Sequence, residues 1–112
     1  MIYKPGSVIL VKFPFTDLQS SKLRPALVLR AQREDVIILG IFSKIPDPFL
    51  ESWIKIDEMD KNFLQTGLKK TSVIKTEKIT VLHQSLVKKE IGSLPFGLLS
   101  QVKQILIKTL DL

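Results

Sequence analysis

The sequence predicts a mainly β domain that ends in a C-terminal helix. Three observations carry that expectation. Up to Ser93 the chain alternates short β-branched and aromatic runs with turn-forming residues, the pattern of strands. After Pro95 the apolar residues switch to three- and four-residue spacing, the period of a helix. A length of 112 residues, 45% hydrophobic and 25% charged, supports one core, so residues 1–112 are read as a single domain.

The elements follow in order. Val8-Ile9-Leu10-Val11-Lys12-Phe13 reads as a strand that Pro14 ends. Thr16 to Lys22 is a polar loop, and Pro25 opens the short strand Ala26-Leu27-Val28-Leu29. Glu34-Asp35 makes a turn into a third strand, Val36 to Phe42. Pro46-Asp47-Pro48 forces a loop, because proline fixes φ and removes a donor. Trp53-Ile54-Lys55-Ile56 is a fourth strand, and Asn62-Phe63-Leu64 a helical turn stopped by Gly67. Ser72 to Ile79 is a fifth strand, and Val87 to Ile91 a short edge strand closed by Gly92. Leu98, Leu99, Val102, Ile105, Leu106 and Leu110 form the apolar stripe of the helix, with Pro95 at its start. Five or six strands and one helix imply a small, strongly bent sheet or barrel capped by that helix.

Charge narrows the function classes. Lys+Arg 17 against Asp+Glu 11 gives +6, which favours an anionic partner. The charge is uneven. Residues 1–33 carry six cations against Asp17, residues 34–60 two against seven acids, and residues 61–89 seven lysines against Glu77 alone. If the fold joins the two basic stretches, one face becomes a phosphate-binding surface. The absence of cysteine excludes a disulfide framework and thiol chemistry, and the single histidine, His83, excludes a two-histidine metal pair. No apolar run approaches the roughly 20 residues of a membrane span. The opening residues lack a signal-peptide stretch, so the expected compartment is the cytoplasm, away from membranes.

Four segments then stand in a telling order. They are Gly6-Ser7-Val8-Ile9-Leu10-Val11-Lys12-Phe13-Pro14-Phe15-Thr16-Asp17 with Ser21-Lys22-Leu23-Arg24-Pro25-Ala26-Leu27-Val28-Leu29, then Ile41-Phe42-Ser43, then Gly67-Leu68-Lys69-Lys70-Thr71-Ser72-Val73-Ile74-Lys75-Thr76-Glu77-Lys78-Ile79-Thr80, and last Ile91-Gly92-Ser93-Leu94. Together they resemble the MazF/PemK family of toxin ribonucleases over nearly the whole chain. Lys75 stands where several members carry arginine, and keeps the cation without the planar fork. The resemblance implies a small SH3-like β-barrel of the MazF/CcdB type with a C-terminal helix. It also implies a homodimer that cuts single-stranded RNA without metal or cofactor, is silenced by a small antitoxin, and binds DNA when joined to it.

Metal-free RNA cleavage needs a base for the 2′-hydroxyl, a cation for the phosphorane and an acid for the leaving oxygen. Strand alternation would place Val73, Lys75, Glu77 and Ile79 on one face and Ile74, Thr76 and Lys78 on the other. Lys75 and Glu77 would then stand about 6–7 Å apart, flanking one phosphate. Glu77, alone among lysines, is expected to stay ionised because nearby cations favour the carboxylate. With the resemblance, this makes Glu77 the general base or its orienting group. Arg24 stabilises the phosphorane, Lys75 assists it or donates the proton, and Ser43 hydrogen-bonds the phosphate. Phe15, Thr16, Asp17, Gln19, Ser20, Ser21 and Lys22 of the loop, with Lys44, Lys69 and Lys70, are expected to hold the RNA by stacking and charge.

Plainer readings stand beside these. Lys75 and Glu77 as a surface pair are worth about 0–1 kcal/mol. Phe15 fits a plug at the barrel end as well as a base platform. Trp53 reads as core or subunit surface, His83 as a solvated or capping residue, and the helix stripe as core or subunit interface. A different function class is a non-cleaving CcdB-like toxin that acts on a protein target such as a topoisomerase, because a fold does not decide function. A third is a scaffold with only electrostatic affinity for nucleic acid.

Overall fold

In the computed structural model, which describes residues 3–12 and 22–112, each β-branched run forms a strand. The elements are β1 (Ser7–Lys12), β2 (Leu23–Gln32), β3 (Asp35–Phe42), β4 (Trp53–Ile56), β5 (Ser72–His83), β6 (Val87–Ser93) and the helix α1 (Phe96–Thr109). The described strands make one antiparallel sheet in the order β4-β5-β3-β2-β1-β6. The mainly β class with a C-terminal helix is as the sequence predicts. The sheet is open, however, with β4 and β6 as unpaired edges, so the barrel is not closed.

Several boundaries shift for local reasons. β2 begins before Pro25 and runs on to Gln32, because β1 and β3 supply partners along its length. The β2–β3 turn is Arg33–Glu34, one residue earlier than expected. Gln32 pairs with Asp35, and Arg33 takes a positive φ of 56°, as two-residue hairpins require. β5 continues to His83 because β3 pairs with it as far as Asp35. Gly92 lies inside β6 and does not end it. His83 is a capping residue, its Nδ1 accepting the Ser85 backbone N–H at 3.1 Å.

Alternation sends apolar side chains to both faces of the sheet. One face buries Val8, Leu27, Leu39, Ile41, Ile54 and Ile74 against Phe63, Leu94 and Val102. The other buries Ile9, Val11, Ala26, Val28, Val36, Ile38 and Leu82. Each fully buried valine, leucine or isoleucine contributes about 1.5–3 kcal/mol, so both clusters matter. Val102 anchors α1 with no exposed surface, while Leu98, Leu99, Ile105 and Leu106 are half-buried around it. Leu110 is 42% exposed and caps the helix, so the buried stripe stops a turn earlier than its spacing predicts.

The largest departure from regular pairing lies in β5. Gly40 pairs with Lys75 but Leu39 pairs with Ile79, so Thr76, Glu77 and Lys78 have no partner on β3. The expected two-residue alternation holds from Val73 to Glu77 and breaks before Ile79, which shares the face of Leu39 and not that of Gly40 and Lys75. Thr76 is fully buried and Glu77 and Ile79 are exposed. Extra residues on one strand bend it and re-aim its side chains.

Where the 3-10 turn meets β6, backbone meets backbone. The short 3-10 turn Phe63–Thr66 ends at Gly67 (φ 74°) and lies directly on β6. A Cβ on Gly92 would stand 2.4 Å from the Gln65 carbonyl oxygen, and one on Gly67 would stand 2.1 Å from that of Ile91. Gly92→Ala is accordingly expected to destabilise the protein by about 1–3 kcal/mol. Urea denaturation reads this directly, and a midpoint equal to that of the unaltered protein would show that the turn and β6 are not in contact.

Candidate active site

The register sets one row across four strands. Ala26 of β2 pairs with Gly40 of β3, Gly40 with Lys75 of β5, and Lys75 with Trp53 of β4. Paired residues share a face, so Lys75 and Trp53 stand beside each other there. Two residues further along, Phe42 on β3 and Arg24 on β2 fall on that same face, and Arg24 pairs with Val11 of β1. Arg24 is half-buried. The backbones of β2 and β5 are two strand spacings apart, about 9–10 Å.

Trp53 organises what lies in the row. Its ring and that of Phe42 hold the Lys75 Nζ between them, at 4.7 and 4.8 Å from the two centroids. Its indole N–H donates to Glu77 Oε2 at 2.8 Å, and the Ser52 hydroxyl donates to Glu77 Oε1 at 2.7 Å. Phe49 packs edge-on to the indole with centroids 5.4 Å apart. Lys75 and Glu77 therefore meet through one indole. They form no direct ion pair, so the plain surface-pair reading does not describe them.

Burial pushes the Glu77 carboxyl upward, but the hydrogen bonds from Trp53 and Ser52, then one from its own backbone, then the Lys75 charge, outweigh it. The net result lies below the usual carboxylate value, so Glu77 is ionised at neutral pH. It is ionised as expected, but hydrogen bonds come ahead of lysine charge among the causes.

The remaining predicted residues divide. Ser43 follows β3 and faces a separate groove of about 490 Å³ with Lys69, Lys70, Ser72 and Lys89 over Leu10, Leu23, Pro25 and Leu68. Leu23 and Pro25 flank Arg24 in sequence and so lie on the opposite face of β2 from it. The fold thus brings Arg24, Lys75 and Glu77 to one side and Ser43, Lys69 and Lys70 to the other. Lys44 is exposed beyond β3, and Lys22 is exposed before β2. Phe15, Thr16, Asp17, Gln19, Ser20 and Ser21 lie outside the described residues. Sequence reasoning missed Ser52, Phe42 and Thr76 and left Trp53 as core. Trp53 is indeed 7% exposed, but its N–H is spent on Glu77. The signal for that pairing is the register of β4 on β5, which no local motif shows. Among the described residues no three His, Cys, Asp or Glu side chains cluster as metal ligands, and no helix is long and apolar enough to cross a membrane.

A small antiparallel sheet with a C-terminal helix and an aromatic, charged site at its bulged strand defines the class. Residues 4–110 match the family model described as PemK-like, MazF-like toxin of type II toxin-antitoxin system, and the chain belongs to that family. Solved structures agree in fold. The Mycobacterium tuberculosis toxin MazF-mt6 is 16% identical with a TM-score of 0.74, over 95% of this chain and 97% of that one. MazF from Deinococcus radiodurans is 14% identical with a TM-score of 0.74, over 100% and 99%. A mycobacterial endoribonuclease in complex with its cognate antitoxin is 15% identical with a TM-score of 0.71, over 98% and 96%. No curated protein matches the chain by sequence.

A depressed carboxyl pKa links Glu77 to stability. Its contribution is present above the ordinary value of about 4.5 and is lost as the pH falls through the lower folded value. The stability difference between the protein and Glu77→Gln is therefore expected to be widest near neutrality and to narrow in acid. Urea titrations at several pH values measure it, and a difference that does not vary with pH would show that the carboxylate is not held as described.

Proposed function

We propose that this chain is an endoribonuclease that cuts single-stranded RNA without metal or cofactor, in the cytoplasm, with residues 1–112 acting as one MazF/PemK-like domain. We propose further that it works as a homodimer and is neutralised by a small antitoxin. Membership of the MazF-like toxin family supports this, as does the likeness to an endoribonuclease bound to its cognate antitoxin. The observation that carries the reading is the shared face: Arg24, Lys75 and an ionised Glu77 stand on one side of the sheet, the two cations and the base that the reaction needs.

The reaction needs no water. Glu77 takes the 2′-hydroxyl proton or orients the hydroxyl, and the 2′-oxygen attacks phosphorus. The P–O5′ bond breaks as the 5′-oxygen is protonated, leaving a 2′,3′-cyclic phosphate and a 5′-hydroxyl. Arg24 stabilises the phosphorane through its planar fork. Lys75, held between two aromatic faces that favour a cation, adds its charge or supplies the proton. Ser43, with Lys44, Lys69 and Lys70, holds phosphates from the groove side, and the loop from Phe15 to Lys22 completes the RNA path.

Incubating the protein with single-stranded RNA in EDTA is expected to give products ending in cyclic phosphate. Arg24→Ala should lower the rate by roughly 100-fold or more with the melting temperature nearly unchanged. Full activity in that variant would remove Arg24 from the site, and no cleavage across varied sequences would overturn the ribonuclease reading. Light scattering is expected to give twice the 12.7 kDa chain mass, and the monomer mass at micromolar concentration would exclude the homodimer.

A further inference from the structure

Glu77 reaches its position through hydrogen bonds that end in the last turn of α1. Ser52 lies opposite Thr76, next to the Trp53–Lys75 pair. Its carbonyl accepts both the Thr76 backbone N–H at 3.1 Å and the Thr76 hydroxyl at 2.7 Å. Its own hydroxyl donates to Glu77. Thr76 Oγ1 also lies 2.6 Å from Thr109 Oγ1, on the final turn of α1. Each hydroxyl has one proton. With Thr76 donating to Ser52, Thr109 donates to Thr76, and the Ile105 carbonyl, 3.0 Å from Thr109 Oγ1, keeps its ordinary helical partner.

We propose that Thr76 and Thr109 are positioning residues for Glu77: they fix Ser52, and through it the carboxylate, so the last turn of α1 sets the geometry of the acid. Two observations carry this beyond proximity. Residues 76–78 have no partner on β3, so the β4 side and the helix are what hold the bulge. Thr76 is fully buried, where an unpaired hydroxyl is costly, and both of its side-chain contacts run along this path. The functional weight of the relay rests on reading Glu77 as part of the ribonuclease site. Its structural half does not.

Trp53, the only tryptophan in the sequence, donates to Glu77, so its emission reports the ionisation of that carboxylate. Lys75 is the charge that acts on the carboxylate, Lys78 follows it on β5, and Glu51 and Lys108 line a small pocket with Ser52 and Thr109; the test alters none of them. Thr76→Val and Thr109→Val remove one hydroxyl each. Both are expected to move the pH midpoint of Trp53 emission upward, toward the ordinary carboxyl value. Thr76→Ser should restore it. Leu98→Ala, which thins the packing at the far end of α1, should leave it unchanged. In cleavage assays the two valine variants should lose roughly ten-fold or more in kcat with KM little altered. Unshifted emission midpoints in both would overturn the proposal, and Thr109→Val decides it alone if Thr76→Val does not fold. Shifted midpoints without RNA cleavage by any of these proteins, unaltered chain included, would leave the relay standing and reject the ribonuclease reading.

Discussion

The three-residue bulge of β5 is the constraint on which the site depends. A regular strand would continue pairing with β3 past Lys75 and keep Ile79 on the face of Lys75 and Val73. Instead Thr76, Glu77 and Lys78 leave the β3 ladder, and Ser52 and Trp53 at the start of β4 take up hydrogen bonds of Thr76 and Glu77. Ser52 and Trp53, adjacent on one side, clamp Thr76 and Glu77, adjacent on the other. A bulge trades ladder bonds for a chosen side-chain direction, and that trade is worthwhile where a charged group must be aimed.

Trp53 solves a second problem at the same place. A lysine and a glutamate two residues apart would tend to neutralise each other, leaving neither for a ligand. The indole separates their tasks. Its electron-rich face takes the ammonium and its polar edge takes the carboxylate. Because its ring is buried against the sheet and Phe49, neither partner has to be fixed by the other. The cost of ordering both side chains is met by burial of the aromatic ring, which the core needs in any case.

The distribution of charge along the chain acquires a structural sense. The acidic middle stretch builds turns. Asp57 and Asp60 each accept the backbone N–H two residues on, at 2.9 and 2.8 Å, as side chains that shape turns do. Glu34 sits at the β2–β3 turn beside His83, 3.6 Å away. The flanking basic stretches supply Arg24 and Lys75 to one face and Lys69, Lys70 and Lys89 to the groove on the other. The basic residues thus form two surfaces, where a single phosphate-binding face was the simplest expectation. Solved structures only about 15% identical to this chain share its fold.

The strands, the helix and their order were legible in the sequence because they rest on local periodicity. Val8 to Lys12, Val36 to Phe42, Trp53 to Ile56 and the stripe from Leu98 to Leu106 each announce their element within a few residues. The resemblance added the family and the residues Arg24, Lys75 and Glu77. What the sequence could not show is everything that depends on register between distant strands. Alternation placed Glu77 on the face of Lys75, where it lies, but carried Ile79 there too, because a bulge leaves no mark in the local pattern and is visible only when Gly40 and Leu39 are seen to pair four residues apart on β5. Likewise Ser52 and Thr109 carry no motif, and Ser43 stands one residue from Phe42 yet serves the opposite face. Composition and period determined which segments form strands and which faces are apolar. Only the tertiary structure decided which charges meet, because that is set by pairing across 24 to 33 residues of chain, where no local signal reaches.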